Sequence, residues 1–354
     1  MSDKKGPVAV SIDIGFGRVS ITKSIGSEID IVTFTSHAYP VDLSKYNKLS
    51  GRVLHQKDNV IVDVDGISYE VGPHLDAFMS DYESRTTTED YVDSPRYKAL
   101  FLAALSMQPE DTIDFLVGGL PVNNMKKESR LIDFMTGEHK VNGRVITVRN
   151  AIVVAQPLGI LYHHAFNEAK QENILPSQWL KGKRILTLDA GYSTFDWLFT
   201  IGMLPDENRS DAKPLGAYRI YSDVATALQS PAIFDGAVHV DLVDEALKNG
   251  SFKLFGESYD FPTNRIRKPF FDIQPRIAHV AHEALAAVKS QIRDGGGIDL
   301  ILLGGGPIDN YQEAVRESYP KNKIEKVVNA DDAVCRGLAL IASQVAKSAA
   351  INSK

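Results

Sequence analysis

Cysteine is almost absent: Cys335 is the only thiol in 354 residues. That excludes a disulfide within the chain and any Cys-based zinc or iron–sulfur cluster that one chain could build. Long hydrophobic runs are missing too. No apolar stretch approaches the ~20 residues of a membrane-spanning helix, and the opening MSDKKGP leads into a run too short and polar for a secretory signal. The expected compartment is the cytoplasm, with no membrane partner. Positive charge is not in excess: 39 Lys and Arg face 45 Asp and Glu, a net charge of −6. That balance argues against a broad nucleic-acid-binding surface, so any DNA contact is expected to run through a partner protein. Several motifs are absent. There is no P-loop, and neither Gly15-Phe16-Gly17 nor Gly304-Gly305-Gly306 completes a dinucleotide fingerprint. Gly191-Tyr192-Ser193 lacks the trailing glycine of a nucleophile elbow. His279, His282 and Glu283 do not follow the order of a zinc-protease helix and read as helix-surface residues. The length suggests two domains of ordinary size, and 44% apolar residues suffice for their cores.

What is present is organised around residues 185–196, ILTLDAGYSTFD. An apolar, β-leaning run ends at Asp189, Gly191 follows, and beyond Thr194 and Asp196 the chain turns apolar again. That pattern fits a buried strand, a tight turn and an antiparallel return strand. Without a Cβ, Gly191 lets the backbone approach a ligand, and successive turn N–H groups with the Thr194 hydroxyl can hold phosphate oxygens. Asp189 could hold a hydrated Mg²⁺ that bridges to the phosphates, since Mg²⁺ usually keeps several waters. Taken alone, the motif fits an ordinary polar hairpin equally well.

Residues 8–17, VAVSIDIGFG, repeat the pattern with Asp13, Gly15 and Gly17. Two such hairpins facing each other could clamp one triphosphate and one metal ion. Residues 298–306, IDLILLGGG, add a buried strand running into Gly304, Gly305 and Gly306, with Pro307 where a helix would begin. A glycine-only turn would let a flat base lie against the backbone, beside a helix N-terminus.

In this order the three stretches resemble the ATPase superfamily of actin, the heat-shock chaperones and the sugar kinases, over nearly the whole chain. The resemblance implies an α/β actin-like fold: two domains with mixed sheets flanked by helices and a nucleotide cleft between them. Residues 1–156 with 333–354 would form domain I, and 157–332 domain II. Asp13, Gly15, Phe16 and Gly17 match the first phosphate loop, Asp189, Gly191, Tyr192, Ser193 and Thr194 the second, and Gly304, Gly305 and Gly306 the adenosine loop. The implied ligands are ATP or ADP, with Mg²⁺ at Asp13 and Asp189. Iron–sulfur and zinc-bearing branches of the superfamily are disfavoured by the lone cysteine. The strand and Leu-Pro turn in FLVGGLPV (115–122), the hairpin VNGRVITV (141–148), the strand 151–155 and Gln156-Pro157 resemble the bacterial plasmid-segregation actins of the ParM/StbA type.

Gln156 follows that strand and precedes the proline that opens a helix. In the superfamily this crossing region carries the residue that orients the attacking water, which makes Gln156, with Asp189, the catalytic candidate; a glutamine suits slow hydrolysis because it does not take the proton. A helix-capping glutamine fits the same position. Asp13 and Asp189 have an alternative reading as turn carboxylates, and Asp196 fits either a ligand shell or a structural polar role. One departure stands out: where actin-like first loops often place a lysine, this chain has Ser20. Lys23 would point to the other strand face, Arg18 is another candidate cation, and phosphate charge would rest more on Mg²⁺ and backbone N–H groups.

Elsewhere, hairpins are expected at Asp65-Gly66 and Asn142-Gly143, and helices over 96–106, 158–171, 240–247 and 331–346. Another helix is expected where Ile277, Val280, Ala281, Ala284, Leu285, Val288 and Ile292 share one face. Residues 80–94 and 203–213 read as loops. Ala333, Gly337 and Ala339 would permit close helix packing at a hinge between the domains, with closure on ATP as the switch. The leading expectation is a filament-forming ATPase that assembles head to tail with ATP and moves plasmid DNA through a DNA-binding adaptor. The alternatives are a small-molecule kinase of the same fold, for which no clear catalytic aspartate stands out, and a non-polymerising ATP-dependent scaffold.

Overall fold

The computed structural model describes residues 6–26, 28–42, 59–73, 75, 90–229, 238–254, 257–260 and 273–352. Most of the acidic stretch 80–94 lies outside them. Apolar hairpins nucleate two sheets. The first holds β1 (Ala9–Ile14), β2 (Arg18–Ile25), β3 (Ile29–Thr35), β4 (Phe115–Leu120) and β5 (Ala151–Ala155), in the order β5–β4–β1–β2–β3. The second holds β6 (Arg184–Ala190), β7 (Phe195–Ile201), β8 (Leu300–Gly304) and β9 (Ile324–Lys326), in the order β7–β6–β8–β9. Both follow one plan: an antiparallel hairpin (β1–β2, β6–β7), then parallel strands added on the side of its first strand. The two sheets thus share one topology. The expected hairpin turns at Asp65-Gly66 and Asn142-Gly143 have positive φ at both central residues, as a type I′ turn requires.

Helices cover the sheets because their apolar spacing matches 3.6 residues per turn. The longest are α1 (Pro95–Ser106), α2 (Gln156–Glu172), α3 (Ala217–Leu228), α4 (Val240–Asn249), α5 (Gln274–Ile292) and α6 (Ala333–Asn352). One buried cluster joins Val10, Ile12, Val19 and Ile21 to Leu100 and Phe101 of α1. The other joins Ile185, Leu186, Leu188 and Trp197 to Val280, Ala284 and Val288 of α5. The predicted face of α5 is thus the buried one.

Three readings need correction. Residues 203–213 are not a plain loop: Leu204–Pro205 and Asp211–Lys213 pair with β7 and extend the sheet. Helix α3 was not anticipated, although its buried Ala217, Ile220, Tyr221, Val224, Ala225 and Leu228 keep helical spacing. Helix α6 starts at Ala333 and runs to Asn352, and by length and composition it is apolar enough to cross a membrane. Arg336 and Lys347 interrupt its apolar run in sequence, and the fold buries its Ala333, Leu338, Ala339 and Ala342 face.

Helix α6 packs on β1, β4 and α2, while α2 also packs on β6 and β8. Ser11 of β1 donates from its hydroxyl to the Cys335 carbonyl (2.9 Å). At the helix crossing, a Cβ on Gly337 would sit 1.8 Å from the Gly159 carbonyl oxygen, and one on Gly159 would sit 2.6 Å from the Val334 oxygen. Backbone meets backbone, so neither side can yield. Gly337→Ala should lower stability by about 3 kcal/mol, the upper end of the usual overpacking range. Gly297→Ala, whose new methyl would meet only an Arg184 nitrogen at 3.7 Å, should change it by less than about 0.5 kcal/mol. Urea denaturation of both variants checks this.

Candidate nucleotide site

Asp13 lies inside β1 opposite Ser20; Asp189 lies inside β6 opposite Asp196, with Gly304 of β8 on its other side. Past each aspartate the chain makes the same turn. Gly15 N donates to Arg18 O (3.0 Å), and Gly191 N donates to Thr194 O (2.9 Å). These two N–H groups therefore close the turns; those of Phe16, Gly17 and Ser193 lie within the turns and take no part in closing them. Phe16 stacks on Tyr91 with ring centroids 4.5 Å apart, and the Tyr91 hydroxyl donates to Gly15 O (3.3 Å), bracing the first turn.

The two turns face a cavity of about 640 Å³, within the usual range for small-molecule sites. Asp13, Gly15, Phe16, Gly17, Gln156, Asp189, Gly191, Tyr192, Ser193, Thr194, Gly305 and Gly306 all line it. Gly304 does not. It is a packing glycine, because a Cβ there would meet Ile160 of α2 at 2.5 Å. Gly305 has φ +89°, and a Cβ on it would sit 2.2 Å from the Ala190 oxygen and 2.6 Å from Asp189 Oδ1. Only glycine lets this loop close over Asp189. Pro307 does open a helix, but only the short 3₁₀ turn Gly306–Asn310.

Gln156 is the first residue of α2, one place inside the N-cap residue Ala155. Its Nε2 donates to Asp13 Oδ1 at 2.7 Å, across 143 residues of chain. This replaces the helix-cap reading. Gly119 of β4 makes room, since a Cβ there would lie 2.8 Å from Gln156 Cγ and 3.6 Å from Asp13 Oδ1. Asp196 is almost wholly buried; its Oδ1 accepts from Val122 N (2.8 Å), and it takes the Thr194 hydroxyl bond expected for phosphate. Its structural role is therefore tangible, although it also lines the cavity.

Burial raises the pKa of all three carboxylates. For Asp13, the Gln156 bond and the nearby Arg18 charge oppose the rise. For Asp189 it is reinforced by repulsion from Asp196 and Asp13, and the pKa stands well above the ordinary value. Asp196 is pushed up to about 6, with the Thr194 and Val122 hydrogen bonds opposing. Clustered hard oxygens with raised pKa values, and among the described residues no cation acting on Asp189, are what a divalent ion would relieve. Among the described residues no three His, Cys, Asp or Glu side chains form a metal cage. A cation here would therefore draw most of its ligands from water or a bound anion, as Mg²⁺ does. The residues fit it.

Arg18, the candidate cation, lines the cavity and is already engaged with the chain. Its guanidinium donates to the Asp331 carbonyl and, at 2.8 Å, to Asp332 Oδ1, tying the first turn to the start of α6. Ser20 bonds Thr33, and Lys23 is exposed. His279 and His282 lie on the exposed face of α5, with His282 3.5 Å from Glu317. Sequence reasoning missed Gly119, Asp332, Tyr221 and Asp244, the last two lining the cavity from α3 and α4. The glycine pair inside an apolar strand was a signal for Gly119, because a strand glycine often marks a close approach.

Residues 11–159 match the family described as actin like proteins N terminal domain. A search of curated protein sequences gives no significant match. Among solved structures the chain resembles a non-polymerisable quadruple mutant of pCBH ParM, with TM-score 0.72, 19% identity, and 95% of this chain and 98% of the other covered. It resembles an archaeal actin homolog, Ta0583, in complex with ADP, with TM-score 0.71, 16% identity and 95% and 99% covered. It also resembles a 15-stranded ParM filament from Clostridium botulinum, with TM-score 0.69, 17% identity and 96% and 100% covered. The chain has the actin-like fold.

Because folding raises the Asp196 pKa to about 6, the folded protein binds that proton more tightly than the unfolded chain does. The contribution is complete below the ordinary carboxylate range near pH 4 and is lost as pH rises through about 6. Asp196→Asn keeps an acceptor for Val122 N and removes the titration. In EDTA at pH 7 it should be more stable than the parent by up to about 3 kcal/mol, with little difference at pH 4. Urea melts across this range test it; equal pH profiles for parent and variant would contradict it.

Proposed function

We propose that this chain is an ATPase that assembles head to tail into filaments with ATP bound, comes apart after hydrolysis, and segregates plasmid DNA in the cytoplasm through a DNA-binding adaptor. The observation that carries the reading is the Gln156–Asp13 hydrogen bond in a cavity walled by two matching hairpins. With Nε2 occupied by Asp13, the Gln156 carbonyl oxygen is left as an acceptor for a water O–H, which orients a nucleophile without removing its proton. The N–H groups of Phe16, Gly17 and Ser193 would take phosphate oxygens. Mg²⁺, held through water by Asp13 and Asp189, would neutralise phosphate charge. The glycines at 305 and 306, with Tyr221 and Leu247, would receive the base. In this reading residues 1–156 with 333–354 and residues 157–332 are the two domains, hinged where α2 crosses α6. The archaeal homolog's ADP complex supports the nucleotide, and the ParM filament supports self-assembly. Head-to-tail contacts use two different surfaces and build open polymers when rotation does not close a ring.

Gln156→Ala should bind ATP near normally and hydrolyse it about 10²-fold more slowly, the scale for a positioned catalytic group. Fluorescent-nucleotide binding and single-turnover phosphate release separate the two effects, and unchanged hydrolysis would move the water elsewhere. Polymer should pellet above a critical concentration with Mg²⁺-ATP and much less with ADP, and Gln156→Ala polymer should outlast wild type. A protein that stays monomeric with Mg²⁺-ATP at high concentration would overturn the filament assignment.

A further inference from the structure

The two turns meet where Gly17 lies against Tyr192. A Cβ built on Gly17 would lie 2.7 Å from Tyr192 Cβ and 3.0 Å from its Cγ. The contact is with the root of the tyrosine, which cannot rotate aside as a side-chain tip would. Tyr192 is fixed along its whole length. Its carbonyl accepts from Tyr218 N (2.7 Å), while Ala217 N and Gly216 N donate to the carbonyls of Gly191 and Ser193 (3.1 Å each). Its ring lies against those of Tyr218 and Tyr221, with centroids 5.8 and 6.1 Å away. Its hydroxyl donates to Asp241 Oδ1 on α4 at 3.3 Å. The side chain therefore runs from the first turn, past α3, to α4.

From this we infer that Tyr192 is a positioning strut: its root against Gly17 sets how far the phosphate end of the cavity closes, and its ring and hydroxyl carry that position to α4. Position 17 is glycine so that the two turns can meet there. The inference rests on the nucleotide reading for its consequence, which is that bound nucleotide leaves only when the Gly17–Tyr192 contact parts. Its geometry is testable without nucleotide. The alternative is that Gly17 serves only local phosphate contacts through its own backbone.

A double-mutant cycle separates the two, because only coupled residues deviate from additivity. In the free protein, Gly17→Ala should raise hydrogen exchange in residues 13–17, 189–194 and α4, and the same substitution in a Tyr192→Gly background should raise it little further. With a fluorescent ATP analogue, Gly17→Ala should speed release at least about 10-fold in the Tyr192 background and less than about two-fold in the Tyr192→Gly background. Tyr192→Phe, which keeps the root and loses the Asp241 bond, should leave residues 13–17 protected while loosening α4. Equal effects of Gly17→Ala in both backgrounds, or unchanged exchange in α4, would overturn the strut. If no nucleotide binds at all, the functional reading fails, and the exchange experiment on the free protein still decides the strut.

Discussion

Asp189 and Asp196 are buried beside the half-buried Asp13, and among the described residues little positive charge balances the three; the rest of the structure is arranged to keep them there. Burial, with repulsion from Asp196 and Asp13, lifts Asp189 well above the ordinary carboxylate range. A small soluble protein would ordinarily avoid this, because an unpaired buried charge is strongly destabilising. Here the aspartates are set in strands whose partners are themselves buried, so the surrounding apolar packing holds the groups against their repulsion. Such strain concentrates at functional sites, where charge must wait for a ligand of the opposite sign.

The two sheets solve this problem twice in the same way. Each places its aspartate next to a hairpin turn closed by a glycine N–H, and each sets a glycine of the adjoining parallel strand or loop against the carboxylate. A Cβ at Gly305 would crowd Asp189, and one at Gly119 would crowd Gln156, the partner of Asp13. Symmetry ends there. Asp13 receives the Gln156 amide, while Asp196 on the other side takes Val122 N from the loop after β4. Those two bonds stitch the second sheet and α2 to the first sheet at the floor of the cavity, and the Gly159–Gly337 crossing does the same behind it. The cavity is thus pinned at its base.

In the proposed reading, Gln156 orients water only if its own amide is held, and its hydrogen bond to Asp13 holds it.

The sequence by itself determined the local elements with their own periodicity or turn chemistry. The hairpins at Asp65-Gly66 and Asn142-Gly143, the buried face of α5 and the two Asp-x-Gly turns all follow from patterns within a few residues. It also determined which residues are eligible for the cavity, because glycine next to a buried strand end is a local signal. What only the tertiary structure decided were partners far apart in the chain. It set Gln156 on Asp13 and made it a fixed amide where its position allowed a cap. It gave the Thr194 hydroxyl to Asp196, and Arg18 to Asp332. It turned Gly304 into a packing position against Ile160, and buried one face of α6, a helix whose apolar length alone would suit a membrane. Each outcome depends on which surfaces meet when two sheets close on α2 and α6, and no spacing along the chain encodes that distance.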